Sequence, residues 1–389
     1  MLSKHHRRVI VLALSLASVS SVRAESKVTL LRVPDDGIQP QCMVDAKGVW
    51  HLIYFNGDAS AGDVFYVRSD DQGKSFSKPL PVNSKPGSVI AIGNVRGAHL
   101  ALGKNGRVHV AWMGSKKAEP AGPDNKQSPL LYTRLNDEGT AFEPQRNVIQ
   151  FAYGLNGGAS IAADDLGHVH VVWHAGAESA KQDEEYRCIW VASSADEGKT
   201  FAKEKRAFAE STGACGCCGM RAFADTKGRV YVLYRAAKEG VHRDMYLLAS
   251  AEKEGSFLGQ LIHPWNVEGC PMSTMAFGQV GDSILGAWET EERIYWARFD
   301  PALRKQVQPV AAQVKSKPAK HPAVAGNRRG EILLAWTEGM GWNRGGTLAW
   351  QVFDADGKPK GEKGRADGVP VWSLVTVCAR PEGGFTIIY

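Results

Sequence analysis

The sequence predicts an all-β chain folded as a single β-propeller, with seven blades favoured and six as the alternative. Three observations carry this. An octet of the form S-x-D-x-G-K-[ST]-F occurs twice, as Ser69-Asp70-Asp71-Gln72-Gly73-Lys74-Ser75-Phe76 and as Ser194-Ala195-Asp196-Glu197-Gly198-Lys199-Thr200-Phe201. A turn glycine, an alternating strand and a closing aromatic recur along the whole chain. Helical spacing is scarce, whereas short alternating runs between Gly, Asn and Asp turns are frequent.

The octet reads as a hairpin turn. Ser and Asp side chains accept backbone N–H bonds inside such a turn, glycine supplies a positive φ, and the phenylalanine returns to a buried face. Ser69, Asp71, Gly73 and Phe76, with Ser194, Asp196, Gly198 and Phe201, are therefore structural candidates. Worn copies follow at 136–142, 251–257 and 354–357.

The recurring turn glycines are Gly48, Gly106, Gly167, Gly228, Gly281, Gly330 and Gly383, spaced 58, 61, 61, 53, 49 and 53 residues apart. Six copies have an aromatic six residues later: Tyr54, Trp112, Trp173, Tyr234, Trp336 and Tyr389. In the fifth, Trp288 stands seven later. A period of this length with hairpins in each unit is a propeller pattern. The last hairpin, 372–389, lacks outer strands. The run Lys27-Val28-Thr29-Leu30-Leu31-Arg32-Val33 is a spare strand, expected to pair with that hairpin and close the ring.

A hydrophobic fraction of 43% against 23% charged residues excludes disorder as the main state. The chain opens with Lys4, His5, His6, Arg7 and Arg8, an apolar run from Val9 to Val19, and Val22-Arg23-Ala24. We read residues 1–24 as a signal peptide and 25–389 as the propeller domain. An uncleaved anchor is the alternative, but the run is shorter than the ~20 apolar residues of a membrane span. The expected location is secreted or periplasmic, with no stable membrane anchor. Loss of residues 1–24 lowers the formal charge from +6 to about +2, which leaves no case for nucleic-acid binding.

The octets resemble the Asp-box, or BNR, repeat of the sialidase superfamily, S-x-D-x-G-x-[TS]-[WF]. The resemblance implies a propeller with Asp-boxes at its periphery, away from the active site. It also implies, for a working sialidase, an arginine triad for a carboxylate, a tyrosine nucleophile paired with a glutamate, and an aspartate acid/base. The family's first arginine lies in an F-R-I-P motif. Leu31-Arg32-Val33-Pro34 is the nearest match, with a surface arginine on a closing strand as the other reading. The late tyrosine has no clear match, and Tyr389 reads as the seventh repeat aromatic.

Strand starts and strand-end loops are expected to line one mouth of the channel. There we place His99, Asn156, His174, Arg221, Arg235, Arg243, His321 and Trp372 as ligand-binding candidates. Glu289 and Glu338 follow repeat aromatics of consecutive units; with Asp244 they are candidate catalytic carboxylates for glycoside hydrolysis. Solvated loop charge is the alternative. The run Cys215-Gly216-Cys217-Cys218, with Cys270 in the next unit, has three readings: disulfides suited to an exported protein, a thiolate site for Zn or Cu(I), or free reactive thiols. The pattern also resembles a subgroup of bacterial sialidase-like exported proteins. No other cofactor is expected. Three functions follow: a sialidase-like propeller that binds and hydrolyses a glycan or other small anionic ligand, a non-catalytic propeller for protein binding or envelope scaffolding, or a metal or thiol site at the cysteines.

Overall fold

All seven turn glycines hold left-handed backbone, from φ +55° at Gly281 to +100° at Gly383. A Cβ disfavours that conformation, so glycine fixes where each hairpin reverses. Three residues upstream, an Asp or Asn often ties the same turn. Asp45 Oδ1 accepts from the Lys47 and Val49 amides at 2.9 Å, and Asp225 Oδ1 does the same for Lys227 and Arg229.

The computed structural model describes residues 27–176, 183–251 and 256–389. The expected signal peptide lies outside them, as does most of the worn octet at 251–257. Seven sheets form a ring, a seven-bladed β-propeller. Six are four-stranded and antiparallel. Blade 1, for example, runs Ile38–Val44, Trp50–Asn56, Asp63–Ser69 and Leu80–Pro81. Blade 7 has three strands. Val28–Leu31 pairs in parallel with Phe385–Ile388, which pairs antiparallel with Thr376–Ala379. The spare strand thus closes the ring in register Val28↔Phe385 to Leu31↔Ile388. The six-bladed alternative is excluded. Among the described residues, no helix is long and apolar enough to cross a membrane.

Apolar packing lies between blades. The repeat aromatics Trp112, Trp173, Trp288 and Trp336 are at most 2% exposed, and burial of each contributes about 3 kcal/mol. The octets occupy the opposite, outer end of the blades, between third and fourth strands. In the second octet Ser194 Oγ donates to Asp196 Oδ1 (2.7 Å) and accepts from the Gly198 amide (2.8 Å). Asp196 also accepts from the Thr200 amide (2.9 Å) and hydroxyl (2.7 Å). The first octet repeats the set with Ser69, Asp71, Gly73 and Ser75. Phe201 meets Tyr132 of blade 2 edge-on at 4.9 Å, so this turn also joins two blades. Phe76 packs beside the cluster of Trp50, Leu52 and Val67.

Candidate binding site at the channel mouth

The innermost strands enclose a channel cavity of ≈ 390 Å³. Its mouth has a repeated backbone feature. Gln39, Asn94, Met272, His321 and Trp372 all hold φ between +48° and +63°, at or near the start of the inner strands of blades 1, 2, 5, 6 and 7. Residues with a Cβ rarely occupy this region, and such positions concentrate where binding groups must be aimed. Side chains tie the starts together. Gln39 Nε2 donates to the carbonyls of Ala91 (2.7 Å) and Trp372 (2.9 Å), and Asn94 Nδ2 donates to that of Ser373 (2.6 Å).

Deeper in the channel, Arg221 reaches from blade 4 to Gln41 of blade 1, across the ring, where its NH1 donates to Oε1 at 2.9 Å. Burial lowers its pKa to about 10. His99 Nδ1 lies 2.8 Å from Ser160 Oγ, which also accepts from the Ala222 amide. Burial, aided by Arg221, holds this histidine neutral, well below its usual pKa. Burial also lowers His174 and His321 to about 3, with Arg187 and Lys320 respectively adding to it.

The wall formed by blades 3, 4 and 5 is densely charged. Glu184 is its hub. Its Oε1 accepts from the Gly216 amide (2.7 Å), its Oε2 from Arg243 (2.5 Å), and Arg187 lies 3.9 Å away. Arg235 NH1 donates to the Arg243 carbonyl (2.6 Å), its NH2 donates to the Glu289 carbonyl, and its guanidinium stacks on Trp265 at 5.0 Å. Three arginines therefore converge, but on internal carboxylates and on backbone: Arg187 and Arg243 on Glu184, and Arg235 on carbonyls and, at 3.7 Å, on Glu289 Oε2. Glu289 is 1% exposed. Its Oε1 accepts from the Glu292 amide (2.7 Å) and its Oε2 has no hydrogen-bond partner. Burial raises its pKa to about 7 against the opposing pull of Arg235.

The cysteines stand in this wall. The sulfurs of Cys215, Cys217 and Cys218 all lie within 4.8 Å of one another, and Cys217, Cys270 and Glu184 form a second such set. The disulfide reading is not met in the structure. All seven cysteines are free, and Cys215 and Cys217 are 3.2 Å apart, beyond the ~2.05 Å of an S–S bond. Burial alone would raise the Cys218 thiol. Hydrogen bonds from Cys215 and Cys217 and the charge of Arg235 bring it well below its usual value.

Other candidates lie apart from this set. Glu338 is buried, with its carboxylate bound to the Trp336 indole (3.0 Å), the Lys315 and Ser316 amides and Arg365 of the outer strand. Among the described residues, the two glutamates share no hydrogen-bond or ion-pair partner. Asp244 Oδ1 accepts from the Trp265 amide at 2.8 Å and shapes that loop. Asn156 holds Arg96 through its carbonyl (3.1 Å) and side-chain oxygen (3.4 Å). Trp372 is half-buried at the mouth. Arg32 is a surface residue that caps the Gly368 carbonyl (2.6 Å) and covers the Tyr389 ring at 4.0 Å, so it is no part of a triad at the channel. The sequence reading missed Glu184, Arg187 and Trp342. Trp342, in the blade 6 loop, is 48% exposed and leans across the mouth over blade 2: a Cβ on Gly93 would stand 3.0 Å from its ring and 3.1 Å from Arg96.

Neither a protein-family model nor a curated protein sequence matches the chain. Solved structures do. A Hadza microbial sialidase, Hz136, aligns with TM-score 0.50 at 12% identity over 82% of this chain and 69% of its own. The α-L-arabinofuranosidase Arb93A from Fusarium graminearum aligns with TM-score 0.50 at 11% identity over 84% of this chain and 95% of its own. At this identity the likeness is one of fold: a seven-bladed β-propeller.

Proposed function

We propose that this chain is an exported propeller of the sialidase superfamily that binds an anionic glycan at the channel mouth. Trp342 is the observation that carries the reading. A large aromatic half exposed at a concave mouth offers a flat apolar face, which suits the C–H face of a sugar ring. Arg96 beside it and Arg221 below supply positive charge, while Glu184 is paired with Arg243 and Glu289 with Arg235. The Asp-box-like turns and the leader-like residues 1–24 support the superfamily and export. A sialidase and an arabinofuranosidase on the same fold are in keeping with this, although fold alone does not assign activity.

Hydrolysis is the second reading, favoured by one observation. Glu289 combines a raised pKa with an oxygen that accepts no hydrogen bond and lies 3.7 Å from Arg235, an arrangement suited to a proton donor or acceptor. Two experiments separate the readings. On an array of neutral and acidic oligosaccharides, wild type is expected to retain acidic glycans in a salt-sensitive way, and Trp342→Ala to bind about tenfold more weakly. Binding unchanged by Trp342→Ala, or no acidic-glycan binding, defeats the proposal. Turnover of fluorogenic glycosides that is lost in Glu289→Gln with binding intact supports hydrolysis.

A further inference from the structure

We propose that Cys215, Cys217 and Cys218 bind Cu(I) through three thiolates in the wall of the mouth. The spacing fits. Thiolates about 2.3 Å from a central ion in a plane lie ~4 Å apart, and these sulfurs already lie within 4.8 Å of each other. Their loop is held on every side. The Ala214 amide donates to the Glu184 carbonyl (2.9 Å), Cys215 to that of Arg235 (2.9 Å) and Gly219 to that of Ser273 (2.9 Å). Gly216 packs closely against Arg187, since a Cβ there would stand 2.0 Å from its NH1. The three sulfurs are therefore converged by the fold and not by chance rotamers of a loose loop.

An independent observation points to an anionic occupant. Arg187, Arg235 and Arg243 are buried, and each keeps a buried guanidinium nitrogen with no acceptor. Buried donors without partners are costly, and native proteins rarely retain them without a purpose. Three thiolates around one Cu(I) carry a net charge of −2, which the neighbouring Arg235 and Arg243 offset. On binding, each thiol releases its proton to solvent as its S–Cu bond forms, and copper stays Cu(I). Coordination number selects the ion. Cys270 lies near Cys217 and Glu184 but not within 4.8 Å of all three sulfurs, so no four-sulfur group is assembled. Zn(II) in structural sites takes four ligands, whereas soft thiolates suit low-coordinate Cu(I).

The test is an anaerobic titration of the reduced, full-length protein with Cu(I) in competition with bathocuproine disulfonate. Wild type is expected to withdraw one Cu(I) per chain, with ultraviolet thiolate-to-copper absorption. The variant Cys215→Ser/Cys218→Ser is expected to lose at least tenfold in affinity, and Cys42→Ser/Cys378→Ser to keep it. Copper left entirely with the chelator, or uptake unaltered by the double substitution, overturns the proposal. So does displacement of Cu(I) by equimolar Zn(II). If the double variant does not fold, alkylation of wild type with and without Cu(I), read by mass spectrometry, decides the matter. Protection of Cys215, Cys217 and Cys218 supports the site, and protection elsewhere or nowhere overturns it.

Discussion

Glu289 is a buried carboxyl whose pKa is raised from 4.5 to about 7, first by burial. The sign of its effect on stability follows from linkage. The unfolded chain ionises this group from about pH 4.5, whereas the folded chain holds the proton until about 7. Stability is therefore full below 4.5 and declines as pH rises to 7, by about 3 kcal/mol. Urea titrations at several pH values are expected to show this slope in wild type and its loss in Glu289→Gln; an unchanged slope would contradict the assignment. The sequence presented Glu289 and Glu338 as equivalents, but it also held the reason they differ. Glu289 directly follows Trp288, while Glu338 stands two residues beyond Trp336. Alternation along a strand puts Glu289 on the face opposite its tryptophan and Glu338 on the face of its own, where the Trp336 indole donates to it. Glu184, Arg187 and Trp342 were harder to read, because they come from irregular loops whose direction no periodicity reports.

Among the elements, the octet turn behaves as a rivet between blades. Gly198 holds φ +77°, and a Cβ there would come within 1.8 Å of the Tyr132 hydroxyl in blade 2. Gly198→Ala is expected to cost about 2–4 kcal/mol, from backbone strain and overpacking together, measured by chemical denaturation. Asp196→Ala removes the acceptor of three hydrogen bonds and is expected to cost about 1–2 kcal/mol. Burial opposes the ionised form of Asp196, but the Thr200 amide, Ser194 and the Thr200 hydroxyl outweigh it and depress the pKa to about 2. Its contribution is thus present above the unfolded value of 3.8 and fades as pH falls through about 2. These turns were legible in the sequence because a turn is local: its donors, acceptors and left-handed glycine all lie within eight residues. The blade count was legible for the same reason, since one glycine marked each hairpin. The site was legible only as a location, because which side chains meet there depends on contacts between different blades.

For the whole molecule, the ring depends on a strand borrowed from the other end of the chain. Deletion of residues 27–33 leaves Phe385–Ile388 as an open edge and removes Val28 from the blade 7 core. The expected result is a lower unfolding midpoint and concentration-dependent light scattering, since bare edges pair with other chains; a monodisperse deletion variant of unchanged midpoint would contradict the closure. That seam has a further consequence, in time and not in strength. Val28 and Phe385 pair across 357 positions of chain, yet loop-closure entropy grows only logarithmically with such a span, so the join is thermodynamically mild. It is kinetically late, because so distant a contact is met only after the intervening hairpins have shortened the path between its ends. Refolding is therefore expected to end in a slow unimolecular phase that belongs to blade 7, and the first amides to exchange in the native ring to be those of the strand that arrived last.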